Sequence, residues 1–337
     1  MPILPPKELK PPFYYFGNAH LQTIIPSLFR NVNGVIYHRE RISTPDGDFL
    51  DLDWAWAEAQ KKVNGVVSSK HVKPSKKLII VSHGLEGSAD RHYVKGLIKV
   101  MNQEGWDGLG WNCRSCSGEL NRLPRFYHHG DTPDLDLVIN HALEKFDYQT
   151  VALAGFSMGG SMTLKYFGER GEDILPQIKK GIAFSVPCDL AACSDELSKP
   201  SKMFYTRRFL KKLNKKILKK AKLMPKQISA EPIKNIRIFR DFDNAYSSQL
   251  HGFRDAEDYY RQASSINYLQ GIRKPVLLIN SLNDPFLTLS CFPKAIAENH
   301  RFLYLEMPLQ GGHVGFQRLG QKETYAELRA KEWLSDL

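Results

Sequence analysis

A serine flanked by glycines lies near the middle of the chain, where an apolar run gives way to good helix formers. Residues 155–159 read Gly-Phe-Ser-Met-Gly, and Val151–Ala154 before them is typical of a buried strand. A serine on such a strand-to-helix turn sits at the amino end of the helix, where partial positive charge favours a developing oxyanion. Larger residues two positions away would collide across so sharp a turn. The pattern therefore predicts that Ser157 is a nucleophile and that Gly155 and Gly159 shape its turn.

A serine hydroxyl needs a base to remove its proton, and the base needs a group that orients it. Asp284 follows the predicted strand Pro275–Asn280, and His313 lies in a glycine-rich loop after the predicted strand Phe302–Glu306. Both residues are thus expected at the carboxyl edge of a sheet, in the chain order serine, acid, histidine. We predict a catalytic triad of Ser157, Asp284 and His313. A simple turn cap is the less favoured interpretation of Asp284.

A histidine–glycine pair directly follows the first buried strand, at His83 and Gly84. Acyl transfer needs two backbone N–H groups aimed at the oxygen that becomes negative. We predict that these are the amides of Leu85 and Met158, with Gly84 and Gly87 allowing close backbone approach. A phosphate-binding loop is not favoured here, because no Gly-Lys-Ser/Thr follows.

Short apolar segments alternate with amphipathic ones from Lys77 to Val186 and again from Pro275 to Leu334. This alternation predicts a mostly parallel sheet with helices on both faces. Gly34–Ile42 and Phe49–Trp56 flank a turn and are expected to pair antiparallel. The polar stretch Lys61–Lys76 predicts a surface loop. The other predicted elements are the helices Tyr93–Gln103, Asp134–Phe146, Met158–Gly168, Pro293–Asn299 and Gln317–Leu334, and the strands Lys77–Val81, Gly108–Asn112, Thr150–Ala154 and Gly181–Val186.

Residues 189–271 break this alternation, because their pattern is only helical and charged. We expect them to form a helical cap inserted over the carboxyl edge of the sheet, within a single domain of residues 1–337.

Five sequence blocks resemble the YheT-like family of α/β-hydrolases. They span residues 18–23 (Asn-Ala-His-Leu-Gln-Thr), 83–88, 112–119, 127–130 and 184–190. The resemblance extends from about residue 13 to residue 320, with Ser115 standing where the family more often has glycine. It implies the α/β-hydrolase fold and a charge relay that falls on Ser157, Asp284 and His313.

The resemblance also implies hydrolysis of carboxylic esters, of short to medium acyl chain or of lipids, without a cofactor. The leading hypothesis is therefore a serine esterase that forms an acyl-enzyme. An alcohol acyltransferase using the same triad is the close alternative, and a binding protein that has lost catalysis is the third. The intact triad argues against the third.

Positive charge is concentrated in one segment. Twelve lysines and arginines and no acidic residue lie from Lys199 to Lys226. Because the net charge of the whole chain is +11, the remaining residues together carry a net charge of −1. Apolar residues recur there at helical spacing, at Phe209, Leu210, Leu213, Ile217 and Ala221. A cap helix with solvated lysines is the favoured interpretation, and contact with an anionic membrane surface is the second. Nucleic acid is disfavoured because no recognition motif accompanies the charge.

Five cysteines, with no apolar run at the proline-rich start that resembles a signal peptide, favour a cytoplasmic protein without a disulfide framework. Cys113 and Cys116 have the spacing of a metal or redox pair. No second such pair is present, so neither a metal site nor a cofactor is expected.

Overall fold

A single mixed sheet of nine strands runs through residues 2–61 and 73–337, the part of the chain that the computed structural model describes. The strands are β1 (Ile3–Leu4), β2 (His38–Ser43), β3 (Phe49–Ala55), β4 (Lys77–Ser82), β5 (Asp107–Asn112), β6 (Thr150–Phe156), β7 (Ile178–Phe184), β8 (Val276–Ile279) and β9 (Leu303–Glu306). Their order across the sheet is β1-β9-β8-β7-β6-β4-β5-β3-β2.

Most neighbouring strands run parallel, which confirms the predicted sheet. Only β3 runs antiparallel, pairing with β5 on one side and β2 on the other. The strand predicted over Gly34–Ile42 begins later, at His38, whose partner is Trp54. Since β3 ends at Ala55, residues 34–37 have almost no partner backbone to pair with.

Seven helices lie outside the segment 189–271: α1 (Ala19–Phe29), α2 (Ala57–Lys61), α3 (His92–Gln103), α4 (Thr132–Lys145), α5 (Met158–Arg170), α11 (Lys294–Glu298) and α12 (Tyr325–Trp333) among the described residues. The intervening numbers belong to the helices of that segment. Alternate residues of β4 face opposite sides of the sheet. Ile79 and Val81 pack with α3 and α12, while Leu78 and Ile80 pack with α4 and α5. Helices therefore cover both faces, as the alternation predicted.

The described residues of the segment 189–271 contain helices and turns but no strand. The helices are α6 (Leu190–Leu197), α7 (Met203–Leu223), α8 (Phe239–Phe242), α9 (Ser248–His251) and α10 (Ala256–Ala263), with 3₁₀ turns at Pro200–Lys202, Glu231–Asn235 and Ser265–Gly271 and a π-helical turn at Asp243–Ser247. They follow β7 and precede β8, at the carboxyl edge of the sheet. We call this segment the cap. Its apolar side chains, Leu210 and Ile217 among them, pack into the same core as α4 and α5.

The structure adds elements at the start of the chain and shortens the last predicted helix. The proline-rich start contains β1, which pairs parallel with β9, and α1, which the sequence patterns did not indicate. The last helix begins at Tyr325 rather than Gln317, because Thr324 caps it and Glu327 completes a capping box. Of the predicted loop Lys61–Lys76, residues 62–72 lie outside the described residues, and residues 73–76 form no regular element.

A buried ion pair joins the last strand to the last helix. Glu306 ends β9 and is fully buried, and its carboxylate accepts from the guanidinium of Arg329 in α12 at 2.7 Å. Tyr325 donates its hydroxyl to the same carboxylate. The loop that carries His313 leaves the sheet directly after Glu306. This ion pair therefore anchors one side of the carboxyl edge of the sheet.

Replacing Arg329 by leucine should lower the free energy of unfolding by roughly 3–5 kcal/mol, because it leaves a buried carboxylate without its cation. Urea denaturation followed by circular dichroism measures the change. Lys331→Leu is the matched control on the same helix: its pair with Glu104 is exposed, so the effect should stay below about 1 kcal/mol. Equal effects of the two substitutions would contradict this role for Arg329.

Candidate active site

The turn at Ser157 is as sharp as the sequence requires. Ser157 has φ 54° and ψ −118°, a conformation that residues with side chains rarely adopt. A Cβ on Gly155 would collide with the carbonyl of Gly159, and a Cβ on Gly159 would collide with the carbonyl of Ser82 in β4. The two glycines are therefore needed for close approach between the turn and the neighbouring strand.

Three side chains meet at this turn although they are far apart in sequence. The Nε2 atom of His313 lies 2.9 Å from the Ser157 hydroxyl oxygen. Its Nδ1 atom lies 2.9 Å from one carboxylate oxygen of Asp284 and 3.1 Å from the other. The Asp284 side chain is fully buried and that of His313 is 9% exposed. A histidine held in this way can take a proton from the serine at Nε2 while Nδ1–H remains bonded to the carboxylate.

Phe286 fixes both partners of the relay. Its backbone N–H donates to a carboxylate oxygen of Asp284 at 2.9 Å. Its ring stacks on the imidazole of His313 with centroids 3.9 Å apart and planes inclined by 15°. The carboxylate and the imidazole are thus oriented by one residue, which the sequence analysis did not single out.

Helix α1 braces the loops that carry Asp284 and His313. Thr23 accepts the backbone N–H of His313 at 2.9 Å, and the Gln22 side-chain oxygen accepts the N–H of Gly311 at 2.8 Å. The same Gln22 oxygen accepts from the side chain of Asn283, next to Asp284. The sequence points to Gln22 and Thr23 only through the family resemblance. Nothing in their spacing from Ser157 indicated this contact, because it depends on the path of the chain.

The loop after β4 is held by His83. The Nδ1 atom of His83 lies 2.8 Å from the carbonyl of Gly84, and its Nε2 accepts the N–H of Cys113 at 3.1 Å. Burial lowers the pKa of His83 to about 4, so the ring is neutral and can accept as well as donate. The hydroxyl oxygen of Tyr93 accepts the N–H of Gly84 at 3.1 Å. The loop passes close to Ser157, since a Cβ added to Gly84 would lie 3.2 Å from the Ser157 Cβ.

Leu85, on this loop, lines the same cavity as Ser157, and Met158 follows Ser157 directly as the first residue of α5. The N–H groups of a helix's first turn have no partner within the helix. No hydrogen bond joins either amide to another described residue. Neither amide of the predicted oxyanion hole is thus committed to another partner among the described residues.

A large cavity opens from Ser157 into the cap. Its volume is about 1040 Å³, including the part open to solvent. Most of its lining is apolar, with Leu190, Leu197, Phe209, Leu213, Phe239, Phe242, Tyr246, Leu250 and Phe286 contributed largely by the cap. Such a lining suits a hydrocarbon chain.

The other histidines near this cavity are bonded to the protein. His128 accepts the N–H of Gly130, and His129 pairs with the hydroxyl of Tyr259 at 2.9 Å. Burial lowers the pKa of both rings, so they are neutral. Each ring is thus held in place by a hydrogen bond to the protein.

Ser115 has φ 64°, a conformation that favours glycine, at the position where the resembling family more often has glycine. The adjacent Arg114 is buried and paired with Asp134 at 2.8 Å and Asp48 at 3.0 Å.

Cys113 and Cys116 are also buried, and the described residues contain no group of three or more side chains that could hold a metal ion.

Two basic residues of α7 are turned inward, which differs from the expected solvated row. Lys216 pairs with Glu86 at 2.6 Å, and the fully buried Lys220 donates to the carbonyls of Leu123, Pro124 and Arg125. Both link the cap to the body of the protein. The hydrophobic spacing that predicted the helix could not show that this polar stripe also faces inward.

Three proteins of similar sequence are named as an esterase, a phospholipase and a lipase. The chain is 34% identical over 328 residues to "Putative esterase YheT" of Escherichia coli (strain K12), covering 96% of this chain and 92% of that protein. It is 29% identical to phospholipase ABHD3 of Bos taurus, covering 88% and 70% of the two chains, and 27% identical to a monoacylglycerol lipase of Saccharomyces cerevisiae, covering 92% and 77%. No protein-family model matches the chain.

Solved structures support the fold. The esterase Pf2001 of Pyrococcus furiosus superposes with a TM-score of 0.58 at 15% sequence identity, over 98% of both chains. At that identity the likeness concerns the α/β-hydrolase fold alone. Fold, site geometry and the similarity to YheT together show that the chain belongs to the YheT-like family of α/β-hydrolases and shares its class of chemistry, the hydrolysis of carboxylic esters.

Proposed function

We propose that this protein is a serine esterase that works through Ser157, His313 and Asp284. The observation that carries the proposal is the unbroken chain of hydrogen bonds from the Ser157 hydroxyl through both nitrogens of His313 to the buried Asp284 carboxylate. Three groups from three separate segments do not align in this way for packing alone, because burying a carboxylate and an imidazole is unfavourable unless each is bonded.

The reaction runs in two steps. His313 takes the Ser157 proton at Nε2 as the serine oxygen attacks the ester carbonyl, while Asp284 stabilises the imidazolium. The carbonyl oxygen becomes negative and accepts from the amides of Leu85 and Met158. The alcohol then leaves with the proton from His313, and water attacks the acyl-enzyme by the reverse sequence to release the acid. An alcohol in place of that water would give the acyltransferase reaction with the same residues.

The apolar cavity is the proposed acyl site. It begins at Ser157 and continues between cap side chains such as Phe209, Leu213 and Phe239. Each buried methylene of an acyl chain contributes about 0.8 kcal/mol, so longer chains should bind better until the cavity is filled. The substrates are therefore esters of apolar carboxylic acids.

Ser157→Ala should lower kcat/KM for p-nitrophenyl butyrate by about 10⁴- to 10⁶-fold, because the nucleophile is lost while the fold is kept. Parallel labelling with a fluorophosphonate probe should mark the wild type at Ser157 and leave the variant unlabelled. Ser201→Ala on the exposed surface of the cap is the control and should react normally. Full activity of Ser157→Ala would refute the mechanism.

Leu213→Trp should shift the preferred acyl chain of p-nitrophenyl esters to shorter lengths, because the indole fills part of the apolar cavity. The measurement is kcat/KM across a series from acetate to laurate. Leu218→Trp, on the same helix but 44% exposed and not part of the cavity lining, should leave the preference unchanged. A shift caused by both substitutions, or by neither, would place the acyl chain elsewhere.

We also propose that the carboxyl half of α7 touches anionic lipid surfaces. Lys215, Lys219 and Lys222 are exposed there, and the exposed side chains of Leu218 and Leu223 lie among them. Apolar side chains interspersed with lysines are suited to the interface of an acidic membrane. Among the described helices none is long and apolar enough to cross a bilayer, so the proposed contact is peripheral.

Vesicles containing acidic phospholipid should sediment the protein, and neutral vesicles should not. Leu218→Asp/Leu223→Asp should reduce the bound fraction severalfold, because it adds negative charge and removes apolar contact. Raising the salt concentration should also reduce the bound fraction, because salt screens the attraction between the lysines and the acidic lipid. Binding that ignores lipid charge would count against this surface.

A further inference from the structure

A second cavity also reaches Ser157, with a lining that differs from that of the apolar cavity, and the proposed chemistry leaves it unassigned. Its volume is about 770 Å³, including the part open to solvent, and its lining also contains His313. Helix α1, the loop after β4, the start of α3 and the amino half of α7 form its walls. An ester bound at Ser157 has two ends, so this cavity is placed to receive the end that the apolar cavity does not.

Three cations line this second cavity: Arg91 at the start of α3, and Arg208 and Lys212 one turn apart on α7. None of the three forms an ion pair with a carboxylate of the described residues. The Arg91 guanidinium donates to Ser27, and Lys212 lies 3.4 Å from the backbone carbonyl of Glu86. The cavity thus carries positive charge that the protein does not neutralise.

Glu86 contributes a carboxylate to the lining of this cavity, but the charge of that carboxylate is already balanced by a lysine. Lys216 pairs with it at 2.6 Å, and the hydroxyl of Tyr127 donates to the same oxygen at 2.6 Å. His92 also lines the cavity, but burial, with Arg30 and Arg91 nearby, lowers its pKa to about 3, so it is neutral. The net charge of the lining therefore comes from Arg91, Arg208 and Lys212.

One stripe of α7 shows the contrast directly. Arg208, Lys212, Lys216 and Lys220 are spaced four residues apart and share one side of the helix. The last two are paired with a carboxylate and with backbone carbonyls, whereas the first two face the cavity beside Ser157. Lys212 is partly desolvated, and Arg91 and Arg208 repel it. Both effects lower its pKa, and the charge of Glu86 offsets them only in part. An anion would relieve this repulsion.

We propose that the second cavity binds an anionic group on the alcohol part of the ester, a phosphate monoester or a carboxylate, through Arg91, Arg208 and Lys212. This inference rests on the proposed esterase mechanism. Hydrolysis consumes water and yields the carboxylic acid from the apolar cavity and an alcohol that keeps its anionic group. Charge-assisted hydrogen bonds from two arginines and a lysine suit either anion.

Paired hexanoyl esters test the anionic group. The first pair is 1-hexanoylglycerol 3-phosphate and 1-hexanoylglycerol, and the second is O-hexanoyl-lactate and O-hexanoyl-lactamide. Such short esters are used as monomers, so attraction to a lipid surface does not enter. The wild type should have a higher kcat/KM for the anionic member of at least one pair, and the pair that shows it identifies phosphate or carboxylate.

Arg208→Gln/Lys212→Gln should lower kcat/KM for the preferred anionic ester by about 10²-fold, or about tenfold for each lost charge-assisted contact, and should remove the preference over its neutral partner. Activity on the neutral ester serves as the check that the variant is folded. Arg207→Gln/Lys211→Gln removes two exposed cations from the neighbouring positions of α7 and should keep the preference. Arg91→Gln, at the start of α3, should also lower the preference for the anionic ester.

Equal kcat/KM for anionic and neutral esters in the wild type would overturn the subsite while leaving the esterase intact. So would an equal loss of preference in both double variants, because that result would assign the effect to the overall charge of the helix. A wild type inactive on the neutral esters as well as the anionic ones would instead refute the proposed esterase mechanism.

Discussion

The close contact between the Ser157 turn and β4 is the constraint on which the site depends. Gly159 lies so near the backbone of Ser82 that no side chain fits between them. This proximity holds the serine in its left-handed conformation and brings the loop after β4, with Leu85, alongside the hydroxyl. The proposed nucleophile and the loop that carries a proposed oxyanion donor are therefore placed by one packing arrangement of two parallel strands, and the strain is borne by the sheet around them.

The other half of the site depends on a segment far from it in sequence. Asp284 and His313 follow β8 and β9, and their loops are tied together through Gln22 and Thr23 of α1. The amino-terminal segment also supplies β1, which pairs with β9. The start of the chain thus supports the catalytic edge from two directions, by backbone pairing and by side-chain hydrogen bonds. This support explains why a block of family resemblance lies so far from the triad.

The cap gives the site its chemical asymmetry. Aromatic and aliphatic residues of the cap line one cavity at Ser157, whereas Arg208 and Lys212 line the second. Phe209 lies between these two and contributes to both cavities. Because one helix presents apolar and basic stripes at different angles, α7 would separate the proposed acyl group from the proposed anionic alcohol. The helix is anchored by Lys216, whose charge is balanced by Glu86, and by Lys220, which donates to backbone carbonyls.

The sequence by itself determined the local parts of this protein. Hydrophobic alternation located the parallel strands, and the glycines around Ser157 predicted a turn that the structure contains, because both signals are set by neighbours along the chain. Chain order was enough to nominate Asp284 and His313, which the structure places within hydrogen-bonding distance of one another and of Ser157. The sequence could not predict contacts between segments that are distant along the chain. The stacking of Phe286, the brace from α1, the inward-facing lysines and the pairing of β1 were decided by the tertiary structure, since each depends on where the chain returns in space rather than on periodicity.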